Sequence, residues 1–258
     1  MSAEEDTDAI KKTVVKRCMK FIPIHTRPLL PPQDNLYEVL AESLPSLREG
    51  DILCITSKVL AIHQGRCIPA PTPGEKDRIV LREADRFIPG KTRNGNLFLT
   101  IKGYTLIPSS GVDMSNGNGY AVLWPRNPHG AAEAICRRLR RKFRLRALAV
   151  IITDSHTTPL RYGVTGISIG FFGFEPLYDY RGKRDIFGRK LKYTKTNIVD
   201  ALATMAVLLM GEGDEQRPMV IVRGASFVKF TNRRTHRALV IRPEKDLYYP
   251  LLKAFRRR

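Results

Sequence analysis

Apolar positions along this chain fall mostly into short unbroken runs bounded by glycine, proline and polar residues, the pattern of buried strands. The clearest is Ala147–Ile152, which leads to Asp154 and Ser155 and then to a Gly-spaced apolar segment ending at Gly170. A buried strand here is expected to deliver Asp154 and Ser155 into a loop. DILCITSK, after the Gly50–Asp51 turn, predicts a second buried strand, ending in Thr56, Ser57 and Lys58. Further strands are predicted within Val14–Ile24, Tyr104–Pro108, Tyr120–Trp124 and Pro218–Val222.

Helical spacing is rarer. Leu36, Val39, Leu40 and Leu44 make one apolar face behind a cap at Asp34 or Asn35. Ala131, Ile135, Leu139 and Phe143 mark a helix over His129–Phe143, with arginine and lysine between them. Ile198–Met210, capped by Thr196 or Asn197, is apolar nearly all round and is predicted to be buried. Ile79–Phe87 and Asp246–Phe255 are weaker helices. RPLLPP, residues 69–77 and SSGVDMSNGNG read as loops, and Lys91–Gly103 as a hairpin or loop. Strands without a regular strand–helix rhythm predict an α+β fold with mixed sheets, not a Rossmann or other doubly wound one. Residues 1–12 read as a disordered tail. Residues 13–258 read as a catalytic region, with a division into two interleaved subdomains left open.

Composition narrows the class. Of 258 residues, 43% are hydrophobic, enough for a core. No apolar run approaches the ~18 residues of a membrane span. The acidic N-terminus lacks the order of a signal peptide, so a cytoplasmic protein is expected. Cys18, Cys54, Cys67 and Cys136 are dispersed and read as reduced thiols. The net charge of +19 calls for an anionic partner. Nucleic acid is one class, with Arg137–Arg146 and Arg256–Arg258 as the basic runs; nucleotides and poly-carboxylates are the other.

Asp113, Asp154 and Glu212 each follow an apolar segment and lie beside glycine or hydroxyl residues. Oxygen donors of this kind suit a hard divalent cation shared with substrate phosphates. Asn116 could join Asp113 on one ligand, or both could form an ordinary Asx-turn, and Asp154 could equally cap a turn. No GxxxxGK[ST] occurs and no GxGxxG follows a strand, so neither a P-loop nor a dinucleotide fingerprint supplies a phosphate cradle.

The ordered blocks GDILCITSK, SSGVDMSN, ITDSHTTPLRYGVTGISIG, DYRGKRDIFGRKLKYT and LLMGEGDEQRPMVIVRG, spanning Ile22 to Gly224, resemble the coenzyme F420-0:L-glutamate ligase family. The resemblance implies a ligase that joins L-glutamate to an acceptor carboxylate through an acyl phosphate. GTP would be co-substrate, with two Mg²⁺ or Mn²⁺ ions, K⁺ as a further candidate ion, and a homodimer. It implies Asp113, Asp154, Ser155 and Glu212 as metal ligands, with Asp113, Asp154 and Arg161 in catalysis. It places Arg27, Pro28, Leu29, Leu30, Ser57, Lys58, Asn116, Met210, Gly211 and Gly213 against the nucleotide. Arg161, Arg181 and Arg189 would hold acceptor phosphate or carboxylates, unless the last two pair with Asp179 and Asp185. The chain departs from the family pattern at Ile62, where a lysine is usual, at Gln64, usually acidic, and in HTTPLR, where only Arg161 is kept. A folate-type acceptor, a non-catalytic relative and a basic nucleic-acid-binding protein are the alternative readings.

Overall fold

The computed structural model describes residues 18–257. The strands are β1 (Lys20–Ile24), β2 (Asp51–Thr56), β3 (Cys67–Pro69), β4 (Arg86–Phe87), β5 (Leu99–Lys102), β6 (Thr105–Pro108), β7 (Tyr120–Val122), β8 (Leu148–Thr157), β9 (Val164–Phe172), β10 (Leu177–Asp179), β11 (Lys195–Asn197), β12 (Met219–Arg223) and β13 (Arg256–Arg257). The helices are α1 (Leu36–Ser43), α2 (Ser57–His63), α3 (Pro73–Glu83), α4 (Pro128–Phe143), α5 (Ile198–Met210) and α6 (Tyr249–Leu252). The fold is α+β with mixed sheets.

A five-stranded sheet in the order β1-β12-β2-β8-β9 forms the centre. Only β2 and β8 are parallel; the other pairings are antiparallel. Both faces are covered, which is why these strands read as continuous apolar runs rather than alternating ones. Leu53, Ile55, Val150, Ile152 and Ile221 pack toward α1, α2 and α4. Ile52, Cys54, Ile151, Val220 and Val222 pack toward α5. A four-stranded sheet, β13-β4-β5-β6, and the β3–β7 pair lie apart from it, with a small core of Ile79, Val80, Val112, Ala121 and Leu123 beside them.

The register of β8 on β9 shifts between Ile152 and Thr153: Ile152 pairs with Gly170, Thr153 with Ser168. Ile169 is therefore an extra residue, and the alternation of β9 reverses there. The glycines on either side then face opposite layers. A side chain at Gly166 would meet the backbone of α5, 2.5 Å from the Ala203 carbonyl oxygen, and one at Gly170 would meet Pro128 of α4 at 2.5 Å. These close approaches explain the glycine spacing.

Several sequence expectations need correction. Asp154 and Ser155 lie within β8, which continues on β9 after its pairing with β2 has ended at Thr153. Ser57 and Lys58 open α2 instead of closing a strand. Residues 73–77 are helical: Pro73 sits at the first turn of α3, where a missing N–H costs nothing, and Glu75 accepts the Thr72 N–H at 2.8 Å. Helix α5 is not buried all round, since Leu208 is 71% exposed. The predicted terminal helix shrinks to α6, because Leu247 and Leu251 find no apolar surface and stay exposed. The disordered-tail expectation for residues 1–12, and the start of the Val14–Ile24 strand, lie outside the described residues. Among the described residues, no helix is long and apolar enough to cross a membrane.

Candidate active site

The topology brings four loop or strand ends to one edge of the central sheet. The parallel strands β2 and β8 both end there, β1 leaves there and β12 arrives there. The Thr26 N–H donates to the Gln216 carbonyl and the Thr56 N–H to the Pro218 carbonyl, each at 3.0 Å, which ties these segments together. Between them opens a cavity of about 400 Å³. The mouth left by parallel strands as the chain turns away is a common place for a ligand.

Asp113, Asp154, Ser155 and Glu212 all line this cavity, although they come from three distant segments. So do Arg27, Pro28, Leu29, Lys58, Asn116, Met210, Gly211 and Gly213. Leu30 is exposed on the loop outside the cavity lining, and Ser57 is buried beside it. Arg161 is also outside the lining; it sits exposed in the β8–β9 turn, where its N–H donates to Thr158. The catalytic role expected for Arg161 therefore has no geometric support. Arg181 pairs with Asp179 at 2.6 Å, and Asp185 accepts the N–H groups of Phe187 and Arg189, so this loop is fastened within itself.

Lys58 connects two walls of the cavity. Its ammonium lies 2.7 Å from the Asp113 carboxylate and donates to the Ser115 carbonyl at 2.8 Å. Burial alone would push the Asp113 carboxyl up, but the Lys58 ammonium and the Ser115 N–H and O–H outweigh it, and its pKa falls. Ile62 lies one helical turn after Lys58 and lines the same cavity. Position 62 therefore presents an apolar side chain to the cavity, one turn from the Lys58 ammonium. Gln64 has a structural task instead, accepting from the Arg126 N–H at 2.6 Å and donating to the Arg126 carbonyl.

Asp154 is under the opposite pressure. Burial pushes its pKa up to about 6, and the Asp113 charge acts in the same direction; the Trp124 and Ser155 N–H groups oppose it. Glu212 is raised by burial, with Asp113 and Glu215 adding to the effect, while the Ser155 hydroxyl stands 3.5 Å from its carboxylate. Among the described residues, no three acids, histidines or cysteines close on a common point. The acids line one space and repel one another across it. The donor set nevertheless fits a hard cation: a divalent ion would stabilise the ionised forms of Asp154 and Glu212, whose proton affinities are raised, with the Asp113 carboxylate and the neutral Ser155 hydroxyl as further oxygen donors.

Two lining or neighbouring residues escaped the sequence reading. Arg217 lines the cavity, and its Nε–H is buried without a hydrogen-bond partner. Trp124 donates its indole N–H to Asp154 Oδ2. Neither belongs to an acid-plus-glycine pattern, so no local signal in the sequence marks them.

The basic run on α4 is largely engaged. Arg137 pairs with Glu133 at 2.9 Å, Arg138 lies over the Tyr37 ring at 4.5 Å, and Arg140 donates to Asn232 and to the Leu148 carbonyl. Arg138 and Arg140 fasten α4 to its surroundings and Arg137 is paired along the helix itself, which leaves the nucleic-acid reading without a free basic stripe at these three positions.

Residues 25–224 match the model of the F420-0:Gamma-glutamyl ligase family. The chain belongs to this family. Similar proteins include the coenzyme F420:L-glutamate ligase of Methanopyrus kandleri, 35% identical over 89% of this chain and 97% of the relative. That of Methanocaldococcus jannaschii is 34% identical over 84% of this chain and 90% of the relative. That of Methanothermobacter thermautotrophicus is 32% identical over 80% and 89%. The matched stretch contains every segment that reaches the cavity, from Thr26 to Pro218.

Proposed function

We propose that this chain is a GTP- and divalent-cation-dependent ligase that forms an amide between L-glutamate and a carboxylate of coenzyme F420-0 or a closely similar acceptor. The observation that carries this reading is the meeting of Asp113, Asp154 and Glu212 with Lys58 and Arg217 around one cavity. The names of the relatives supply glutamate and the F420 acceptor.

Asp113, Asp154, Ser155 and Glu212 would hold the cation. When bound, it would neutralise phosphate charge. Arg217 and Lys58 both line the cavity and would set their positive charge against substrate oxyanions. Phosphoryl transfer needs little beyond positioning and charge neutralisation, which these groups provide. In the proposed sequence an acceptor carboxylate oxygen takes the γ-phosphoryl group and GDP leaves. The glutamate amine then attacks the acyl carbon, an amide forms, and phosphate and a proton depart. Asn116 donates to the Gly213 carbonyl at 2.9 Å, so the loop carrying Asp113 and the loop carrying Glu212 meet at the cavity rim.

The test is incubation with GTP, Mn²⁺, L-glutamate and F420-0, with mass detection of an added glutamyl unit. ATP and a folate acceptor serve as comparison arms. Product with F420-0 and none without a divalent cation is expected; absence of product from every combination would refute the reading. Arg217→Met provides a second prediction. A charge-assisted hydrogen bond contributes about 1.5–3 kcal/mol, so KM for the nucleotide should rise roughly 10- to 100-fold with folding unchanged. An unchanged KM would remove Arg217 from the phosphate site.

A further inference from the structure

Asp154 is held by a residue that itself lies outside the cavity lining. Trp124 is 5% exposed, and its indole N–H donates to Asp154 Oδ2. The other carboxylate oxygen, Oδ1, accepts the Ser155 N–H at 3.0 Å. An indole N–H can only donate, so Oδ2 is always the acceptor in this contact and the direction cannot reverse.

The indole is fixed from behind. Lys102 lies 5.8 Å from the ring centroid, and the Arg66 Nε–H donates to the Trp124 carbonyl at 3.1 Å. Glu83 joins these two cations, at 2.7 Å from Lys102 and 2.6 Å from Arg66. The front is shaped by Gly111. Its φ is +68°, and a Cβ there would fall 2.1 Å from the indole nitrogen. Backbone conformation and the indole thus both require glycine at this position.

We propose that Trp124 is a positioning residue: it fixes the rotation of the Asp154 carboxylate toward the cavity and so sets the cation affinity of the site. This inference rests on the cation reading above. Partners of this kind orient ligands and typically control affinity by about 10- to 100-fold. Trp124 is also the chain's only tryptophan. Its emission therefore reports on this one carboxylate.

The experiment uses the full chain. Mn²⁺ affinity is measured by calorimetry for wild type, Trp124→Phe and Lys102→Met. Separately, wild type is titrated with Tb³⁺ under tryptophan excitation, with Mn²⁺ as competitor. Sensitised Tb³⁺ emission that Mn²⁺ displaces is expected, together with an affinity loss of about 10- to 100-fold in Trp124→Phe. Lys102→Met keeps the N–H donor but removes a contact that fixes the ring, so a smaller loss than in Trp124→Phe is expected. Wild-type affinity in a folded Trp124→Phe overturns the inference. If that variant does not fold, wild type decides: Mn²⁺ binding with no sensitised Tb³⁺ emission overturns it equally. A wild-type protein that binds no Mn²⁺ overturns the cation reading, and this inference with it.

Discussion

Asp154→Asn is expected to reduce ligase turnover by more than about 100-fold while leaving the protein folded, and at neutral pH no less stable than wild type in the absence of divalent cations. The functional loss follows from charge. Asparagine keeps the shape of the side chain but offers a hard cation one neutral oxygen in place of an anion. The stability argument depends on magnitudes. Burial raises the pKa of Asp154 to about 6. A carboxyl raised in the fold favours its protonated form there, so its contribution is fully present below the ordinary aspartate value near 4 and is lost as pH rises through about 6. At neutral pH the ionised group therefore costs the fold on the order of 2–3 kcal/mol. Asparagine removes that cost. It must turn its amide nitrogen toward either Trp124 or Ser155, because both carboxylate oxygens now accept an N–H, and the lost hydrogen bond costs about 1 kcal/mol. The relief exceeds the loss. Thermal unfolding followed from pH 4 to pH 8 should show wild type losing stability through this window relative to the variant, and Mn²⁺ should stabilise wild type alone. Retained turnover in Asp154→Asn would remove Asp154 from the cation site.

The same residue shows how far the sequence could be read. The run Ala147–Ile152 marks a buried strand, and position after an apolar segment beside glycine or hydroxyl residues marks Asp113, Asp154 and Glu212; all three acids line one cavity. Period and caps also placed α1, α4 and α5: Asn35 and Asn197 cap α1 and α5 through their side-chain oxygens. What could not be read was pairing across long separations. The β8–β9 partnership extends the strand past Ile152 and makes Asp154 a strand residue, and no local signal announces the extra residue at Ile169. Trp124 resembles any apolar residue after a short strand until Asp154 arrives beside it from 30 positions away. Arg161, in contrast, was chosen because a motif kept it, yet the β8–β9 turn carries it away from the cavity. A motif preserves chemistry only when the backbone between its members also keeps its course.

The largest stability effect is expected at the opposite end of β2 from the cavity, where Asp51→Ala should destabilise the fold by about 3–5 kcal/mol. Asp51 is fully buried, and its carboxylate accepts from Arg223 Nε at 2.8 Å and Nη2 at 2.7 Å and from the Arg48 N–H at 2.8 Å. The pair joins the start of β2 to the end of β12, across 172 residues of chain. Removing Asp51 leaves the Arg48 N–H without its acceptor and leaves the half-buried Arg223 guanidinium with the Ser46 carbonyl at 3.4 Å in place of a carboxylate, so the loss is much greater than that of a surface ion pair. A double variant, Asp51→Ala with Arg223→Met, should recover part of the loss because no uncompensated charge is left behind. Urea unfolding should show a lower midpoint with an unchanged slope, which would assign the effect to stability and not to a change in the surface exposed. Nucleotide KM per folded molecule should not move, since Asp51 and the cavity lie at opposite ends of the same strand. A loss below about 1 kcal/mol would mean that water reaches Asp51 in solution and that the pair behaves as an exposed one.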